Sequence, residues 1–351
     1  MKKTHQLYPL LFAPVYKDYI WGGNRIVRQY ERAGMHEYKQ EHAEIIAESW
    51  EIADRPEGMS IVSNGPLKGT KLHELVQAYG SKLLGYNYKH NTFPLLIKII
   101  DAKQRLSVQV HPDEATARNL GGEPKTEMWY VLDADPDALV YAGFKKGVTK
   151  KKFQEALTTD HIEELLQKIS VAHGDIIYIP GGRLHCIGEG CLLLEIQQNS
   201  NTTYRVHDWG RIGSDGKPRE LHIKEALKAI HWNDTSSAKA SKPGSQSIAR
   251  NRHAPTVAQK QISTQKRNEM FELIRSPYFR VEQIRLRSTL SFPMNGKTFH
   301  ILFLEDGQLE ISAKDFSTEI KPGTTVLIPA SMNSYHLASI KSASLLRITL
   351  P

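Results

Sequence analysis

From Leu106 to His111 apolar and polar residues alternate: Leu106, Val108 and Val110 against Ser107, Gln109 and His111. Successive side chains on a β-strand point to opposite faces, so the two triplets must part company. A half-buried strand with its polar face in water satisfies this pattern, and so does a strand whose polar face lines an interior. Further strand-like runs are "TFPLLIKII" (92–100), "EMWYVLDA" (127–134), "ALVYAGF" (138–144), "DIIYIP" (175–180) and "CLLLEIQQ" (191–198). After residue 270 come "FRVEQIRLR", "FHILFLEDG", "QLEISA" and "TTVLIPA". Many short strands broken by Gly, Pro and Asp turns predict a mainly β sandwich or barrel.

Helical patterns are few. The segment 70–85 has Thr70 as N-cap and Gly85 as stop; 149–157 and 160–170 follow, the second with Asp160 and Glu163 spaced as a capping box. A fourth helix is predicted over 220–232. Between Thr235 and Asn268 the composition shifts to Ser, Ala, Lys and Gln, with seven basic residues and no acidic one. Such a segment buries too little apolar surface to offset its ordering entropy, so 236–267 reads as a loop or linker. It also explains the net charge of +8, leaving a balance of +1 elsewhere. A nucleic-acid partner is therefore not expected.

The N-terminal apolar run is short, carries Pro9 and Pro14 and lacks a small-residue cleavage site, so it does not read as a signal peptide. No stretch approaches the ~20 apolar residues of a membrane helix. Two cysteines, Cys186 and Cys191, flank the turn "IGEG" and could face each other across a hairpin, but so few suit a reducing cytoplasm. A cytoplasmic monomer is expected.

A repeat resolves the alternating strand. "HGDIIYIPGGRLHCI" and "KPGTTVLIPASMNSYHL" each hold a Gly, five residues and a Pro: Gly174 to Pro180, and Gly323 to Pro329. The first copy continues through Gly182 to His185, which resembles the second signature of the cupin superfamily, G-x5-P-x-G-x2-H. Glu189 stands where that family usually has Asn. The resemblance implies that His185 ligates a metal, with Gln109 and His111 as the paired ligands of the first signature and Glu127 as the carboxylate. Residues two apart on a strand are about 6.8 Å apart and share a face, so both can reach one ion. This donor set suits Zn²⁺, one per chain, at about 2.0–2.2 Å, with Mn²⁺ or Fe²⁺ as other candidates. In the second copy Ser334 stands for His185 and His300 for Glu127, so that copy keeps the frame and loses the ligands. His300 and His336 are a rival metal pair.

The expected fold is mainly β: two cupin-type (jelly-roll) barrels with a few helices inserted in and after the first. The expected domains are 1–235, catalytic and metal-binding; 236–267, linker; and 268–351, a cupin-like support without ligands.

"PLLIKIIDAKQRLSVQVHPDE", "KTEMWYVL", "IPGGRLHCIG" and "NSNTTYRVHDWGR", in this order, resemble the type I mannose-6-phosphate isomerase family. "DYIWGG" and "ESWEIADRPEGMSIVSNGPLKG" are similar to its short bacterial form. The resemblance implies zinc-dependent interconversion of mannose 6-phosphate and fructose 6-phosphate through a cis-enediol. It also implies an active-site arginine at Arg205 and a lysine beside the metal at Lys125. From the strand pattern, Glu195 shares a face with Cys191 and Leu193, and its apolar setting should raise its pKa as a general base requires. A salt bridge to Arg205 is the alternative for Glu195, and Lys125 is an alternative base. Ser107, Arg211 and Arg183 are the phosphate-binding candidates, and Trp21 and Trp129 are expected to wall the pocket. The rival functions are a sugar-phosphate-binding cupin without turnover and an isomerase of another phosphosugar such as glucose 6-phosphate.

Overall fold

The computed structural model describes residues 5–30, 45–88, 90–159, 161–213, 216–239, 260–265 and 268–351. It is mainly β, and it divides into two compact units that interleave along the chain. One draws on residues 16–50 and 95–240, the other on 1–15, 51–94 and 241–351. The boundaries at 235 and 268 thus mark where the sequence signatures lie rather than where the folding units part.

The first unit is built on two sheets. The six-stranded sheet runs in the order Ile176–Ile179, Glu127–Ala134, Cys191–Gln198, Leu95–Ala102, Glu48–Ile52, Val15–Lys17. The five-stranded sheet runs Leu166–Ser170, Leu139–Phe144, His185–Ile187, Val108–Val110, Tyr204–His207. Their facing sides share one apolar core, in which Trp129, Val131, Ile177 and Leu193 of the first meet Val140, Ala142 and Ile187 of the second. The outer face of the five-stranded sheet holds Val108, Val110, Cys186 and Val206. These pack with Phe153, Ala226 and Ala229 of the helices Lys150–Ala156 and Ile223–Ala229. Both faces of the alternating strand are therefore inside the protein, and its polar triplet looks into the space between the sheets. The sheets are open, not closed barrels as expected, because their edge strands do not pair with one another among the described residues.

In the second unit a ten-stranded sheet carries the later copy of the repeat. The register confirms the alignment of the copies: Glu127 lies opposite Ile179, just before Pro180, and His300 lies opposite Ile328, just before Pro329. Leu10–Ala13 joins this unit by pairing with Thr325–Ile328, Leu10 opposite Leu327.

Several local expectations change. Segment 160–170 is a short 3-10 turn, Ile162–Leu165, followed by the strand Leu166–Ser170, because pairing with Leu139–Phe144 overrides its helical pattern. Residue 160, the expected cap, lies outside the described residues. The helix Leu72–Tyr79 starts one residue later than expected, with Lys71 at its N-cap. Thr149 does cap its helix, its hydroxyl accepting from Lys152 N at 3.3 Å. Most of the basic tract, 240–259 and 266–267, is outside the described residues, but Lys260–Gln265 is a strand paired with Asn268–Arg275. Cys186 and Cys191 are free, buried thiols in separate cores, so they do not face each other.

Candidate metal centre and active site

One cross-strand row of the five-stranded sheet contains Arg205, Gln109 and His185, each directly opposite the next. His111 follows one residue past the strand Val108–Val110, and its loop is held by Gly182 N donating to His111 O at 2.8 Å. Gly182 has φ +89°, and a Cβ there would lie 2.5 Å from the His231 ring. The glycine of that signature thus has a steric cause in this chain. Glu127 enters from the facing sheet.

His111, Glu127 and His185 are buried, and their ligand atoms lie within 4.8 Å of one another. His111 Nδ1 donates to Thr202 O at 2.8 Å and His185 Nδ1 to Arg183 O at 2.8 Å. With Nδ1 protonated, each Nε2 turns a lone pair toward the centre, at 3.5 Å from a Glu127 oxygen. Burial, with Lys125 nearby, holds both imidazoles neutral: His185 falls to about 3 and His111 well below its usual value. Neither Glu127 oxygen accepts a well-directed hydrogen bond; the 2.7 Å approach of Lys125 Nζ is a charge contact. Burial, then the Glu195 charge, pushes the Glu127 carboxyl up to about 7. Two neutral imidazoles and a buried carboxylate are a donor set that a divalent cation satisfies. Gln109 stands beside them, its amide nitrogen 3.3 Å from His185 Nε2 and its oxygen accepting from Ser107 Oγ at 3.1 Å. Rotating the amide by half a turn aims that oxygen at the centre.

Behind the centre runs a buried chain of alternating charges. Lys125 Nζ is 3.8 Å from Glu195, Glu195 is 3.3 Å from Lys98, and Lys98 is 3.6 Å from Glu48. Trp129 Nε1 donates to Glu195 at 3.0 Å and Trp50 Nε1 to Glu48 at 2.6 Å. The expectation of a raised Glu195 pKa is overturned. Burial does act to raise it, but Lys125, Lys98 and Trp129 outweigh burial and hold the carboxyl down at about 2. Its ion pairs are to lysines, not to Arg205. Lys98 and Glu48 escaped the sequence reading, although Lys98, in the middle of the apolar run "LLIKII", was the available signal.

Arg205 Nε donates to Ser107 Oγ at 3.3 Å and Nη1 to Glu220 O at 2.9 Å, while Nη2 has no partner among the described residues. Arg183 is not available to a ligand. It is buried, donates to Asp234 at 2.6 and 2.8 Å, to Tyr178 O at 3.0 Å and to Ser236 at 2.7 Å. Arg211 is tied to Asp208 and to Arg105 O. Trp129 stands edge-on to His185 at 5.6 Å, and Trp21 lies in the core. In the second copy His300 Nδ1 meets the Tyr335 hydroxyl and His336 Nδ1 meets Ser291, and among the described residues they form no metal cluster.

The family model "Phosphomannose isomerase type I, catalytic domain" matches residues 10–142, and "Mannose-6-phosphate isomerase, cupin domain" matches residues 269–349. Mannose-6-phosphate isomerase ManA of Bacillus subtilis (strain 168) is 34% identical over 336 residues, spanning 94% of this chain and 95% of the relative. The chain belongs to the type I mannose-6-phosphate isomerases. The mannose-6-phosphate isomerase of Streptococcus mutans, another relative, is 40% identical over 223 residues, 63% of this chain and 67% of that one. The crystal structure of the Bacillus subtilis mannose 6-phosphate isomerase superposes with a TM-score of 0.81 at 28% identity, covering 97% of this chain and 99% of that one. As a type I isomerase the chain is an enzyme, and among its described residues no helix is long and apolar enough to cross a membrane.

Proposed function

We propose that this enzyme interconverts mannose 6-phosphate and fructose 6-phosphate through a cis-enediol, using one zinc ion held by Gln109, His111, Glu127 and His185. The observation that carries the reading is the convergence of two neutral imidazoles and a buried carboxylate beside a lysine and an arginine. We read the two facing sheets as a flattened cupin barrel, and the C-terminal copy as a cupin-like unit without the ligand set. When bound, the ion supplies Lewis-acid polarisation of a substrate oxygen.

The remaining work falls to the chain. The proton moving between C1 and C2 needs a carrier, and we assign that role to Lys125, whose Nζ is 2.7 Å from Glu127 and 3.2 Å from His111 Nε2. Glu195, permanently ionised between two lysines, holds Lys125 in position rather than taking the proton itself. Arg205 offers its free Nη2 to the negative charge that develops on the substrate or resides on its phosphate. The sheets and Trp129 exclude water from the reacting carbons.

The test is elemental analysis of the purified protein joined to isomerisation assays with mannose 6-phosphate and glucose 6-phosphate. The expected result is about one zinc per chain and turnover of the mannose ester, both lost in His185→Ala. Full turnover by metal-stripped protein would refute the zinc mechanism.

A further inference from the structure

Beyond the metal centre, the guanidinium groups of Arg211 and Arg219 share one carboxylate, that of Asp208. Asp208 is 7% exposed. Arg219 donates to it through Nε at 2.8 Å and Nη2 at 2.5 Å, and Arg211 Nη2 donates to the same Oδ1. Arg205 is drawn in along the backbone: His222 N donates to Arg205 O at 2.7 Å, and Arg205 Nη1 to Glu220 O at 2.9 Å. The chain therefore carries residues 219–222 along the Arg205 strand. The Asp208–Arg211 turn is fixed beside Ser107, since Trp209 Nε1 donates to Leu106 O at 2.6 Å and Arg105 stacks 3.5 Å over its ring.

Three fixed positive charges, Arg205, Arg211 and Arg219, against two negative ones, Asp208 and the exposed Glu220, leave this corner net positive. Burial, then Arg219, lowers the basicity of Arg205, with Asp208 and Glu220 acting the other way. The two Asp208 partners differ. Arg211 has Nη1 committed to Arg105 O and its Nε sealed from solvent, with 12% side-chain exposure. Arg219 is 27% exposed, and its Nη1 has no partner among the described residues.

We propose that Arg219 is the phosphate-binding cation of this site, acting with Arg205 and the Ser107 hydroxyl, and that Arg211 only braces Asp208. This rests on the phosphosugar reading above. Asp208 is then a positioning residue: it aims the Arg219 fork so that the free Nη1 faces the ligand.

The experiment measures inorganic phosphate binding by calorimetry and KM and kcat for mannose 6-phosphate, on the zinc-loaded enzyme and on Arg219→Gln, Arg219→Lys, Arg211→Gln and Arg105→Gln. Arg219→Gln is expected to weaken phosphate and raise KM at least tenfold with kcat within threefold, and Arg219→Lys to restore part of both. Arg211→Gln removes the other Asp208 partner and is expected to lower the thermal midpoint with a smaller effect on phosphate. Phosphate binding unchanged within twofold in Arg219→Gln, or a larger loss in Arg211→Gln than in Arg219→Gln, overturns the assignment. Arg105→Gln controls for net charge, and an equal loss there also overturns it. If the wild type binds phosphate through Arg219 but does not turn over mannose 6-phosphate, the isomerase reading falls and the phosphate site stands.

Discussion

Lys98 Nζ lies 3.3 Å from Glu195 Oε1, and the two residues sit directly opposite each other on neighbouring strands of the six-stranded sheet. Both are almost wholly buried. Breaking such a pair strands a charge in a low-dielectric interior, which costs about 3–5 kcal/mol. Glu195→Gln should therefore lower the free energy of unfolding by about that amount in urea titrations, because it leaves both Lys98 and Lys125 under-compensated. Turnover should fall as well, with zinc content retained. A variant as stable as wild type would show that Glu195 is not the anchor of the charge chain.

Arg183 and Arg205 separate structure from chemistry. Arg183→Gln leaves Asp234 without its buried partner, so the midpoint of thermal unfolding should fall while KM for mannose 6-phosphate stays within twofold. Arg205→Gln should do the opposite, cutting kcat/KM at least a hundredfold with little change in stability. Steady-state kinetics and calorimetry of the two variants decide it.

Gly182 couples backbone geometry to His185, a member of the proposed zinc site. At φ +89°, with the His231 ring where a Cβ would go, Gly182→Ala is strained on two counts. It should cost about 1–3 kcal/mol, and it should lower metal content by shifting the His185 strand. Zinc bound per chain at limiting concentration is the direct readout.

His300, in the second copy of the repeat, is held at about 3 by burial and then by Arg347 and Arg280. The folded state therefore refuses a proton that the unfolded chain accepts near pH 6.5. Its contribution is fully present above pH 6.5 and is lost as pH falls toward 3. Over the two units from 6.5 to 4.5 this amounts to roughly 2–3 kcal/mol at about 1.4 kcal/mol per unit. Equilibrium unfolding of wild type and His300→Gln across that range should show a flatter profile in the variant.

Much of the site was legible because it depends on local spacing. Alternation put Ser107, Gln109 and His111 on one face, and the Gly174–Pro180–Gly182–His185 run placed a strand, a turn and a ligand in order. The partners of the charged groups were not legible, since they come from elsewhere in the chain. Lys98 meets Glu195 across 97 positions of sequence, and Asp234 reaches back 51 residues to Arg183. An apolar strand raises a carboxyl's pKa only if no cation shares its interior, and Lys98 and Lys125 both do. Segment 160–170 misled for a related reason: its helical period is real, but an open strand edge at Leu139–Phe144 recruits it.

The pairing of Leu10–Ala13 with Thr325–Ile328 also governs how the polypeptide can emerge from the ribosome. The opening strand finds one neighbour, Ile61–Val62, early, but its other neighbour follows only after more than three hundred residues of synthesis, at about 5–20 residues per second. Over that interval the metal-holding unit, whose strands are all made by residue 207, can close first. The unit that holds the second copy of the repeat can finish only after translation has passed its last strands, leaving Leu10 and Leu11 without their partners Leu327 and Val326 meanwhile. Nascent chains arrested at residue 240 should accordingly protect the metal-binding strands from protease while the opening strand remains cleavable.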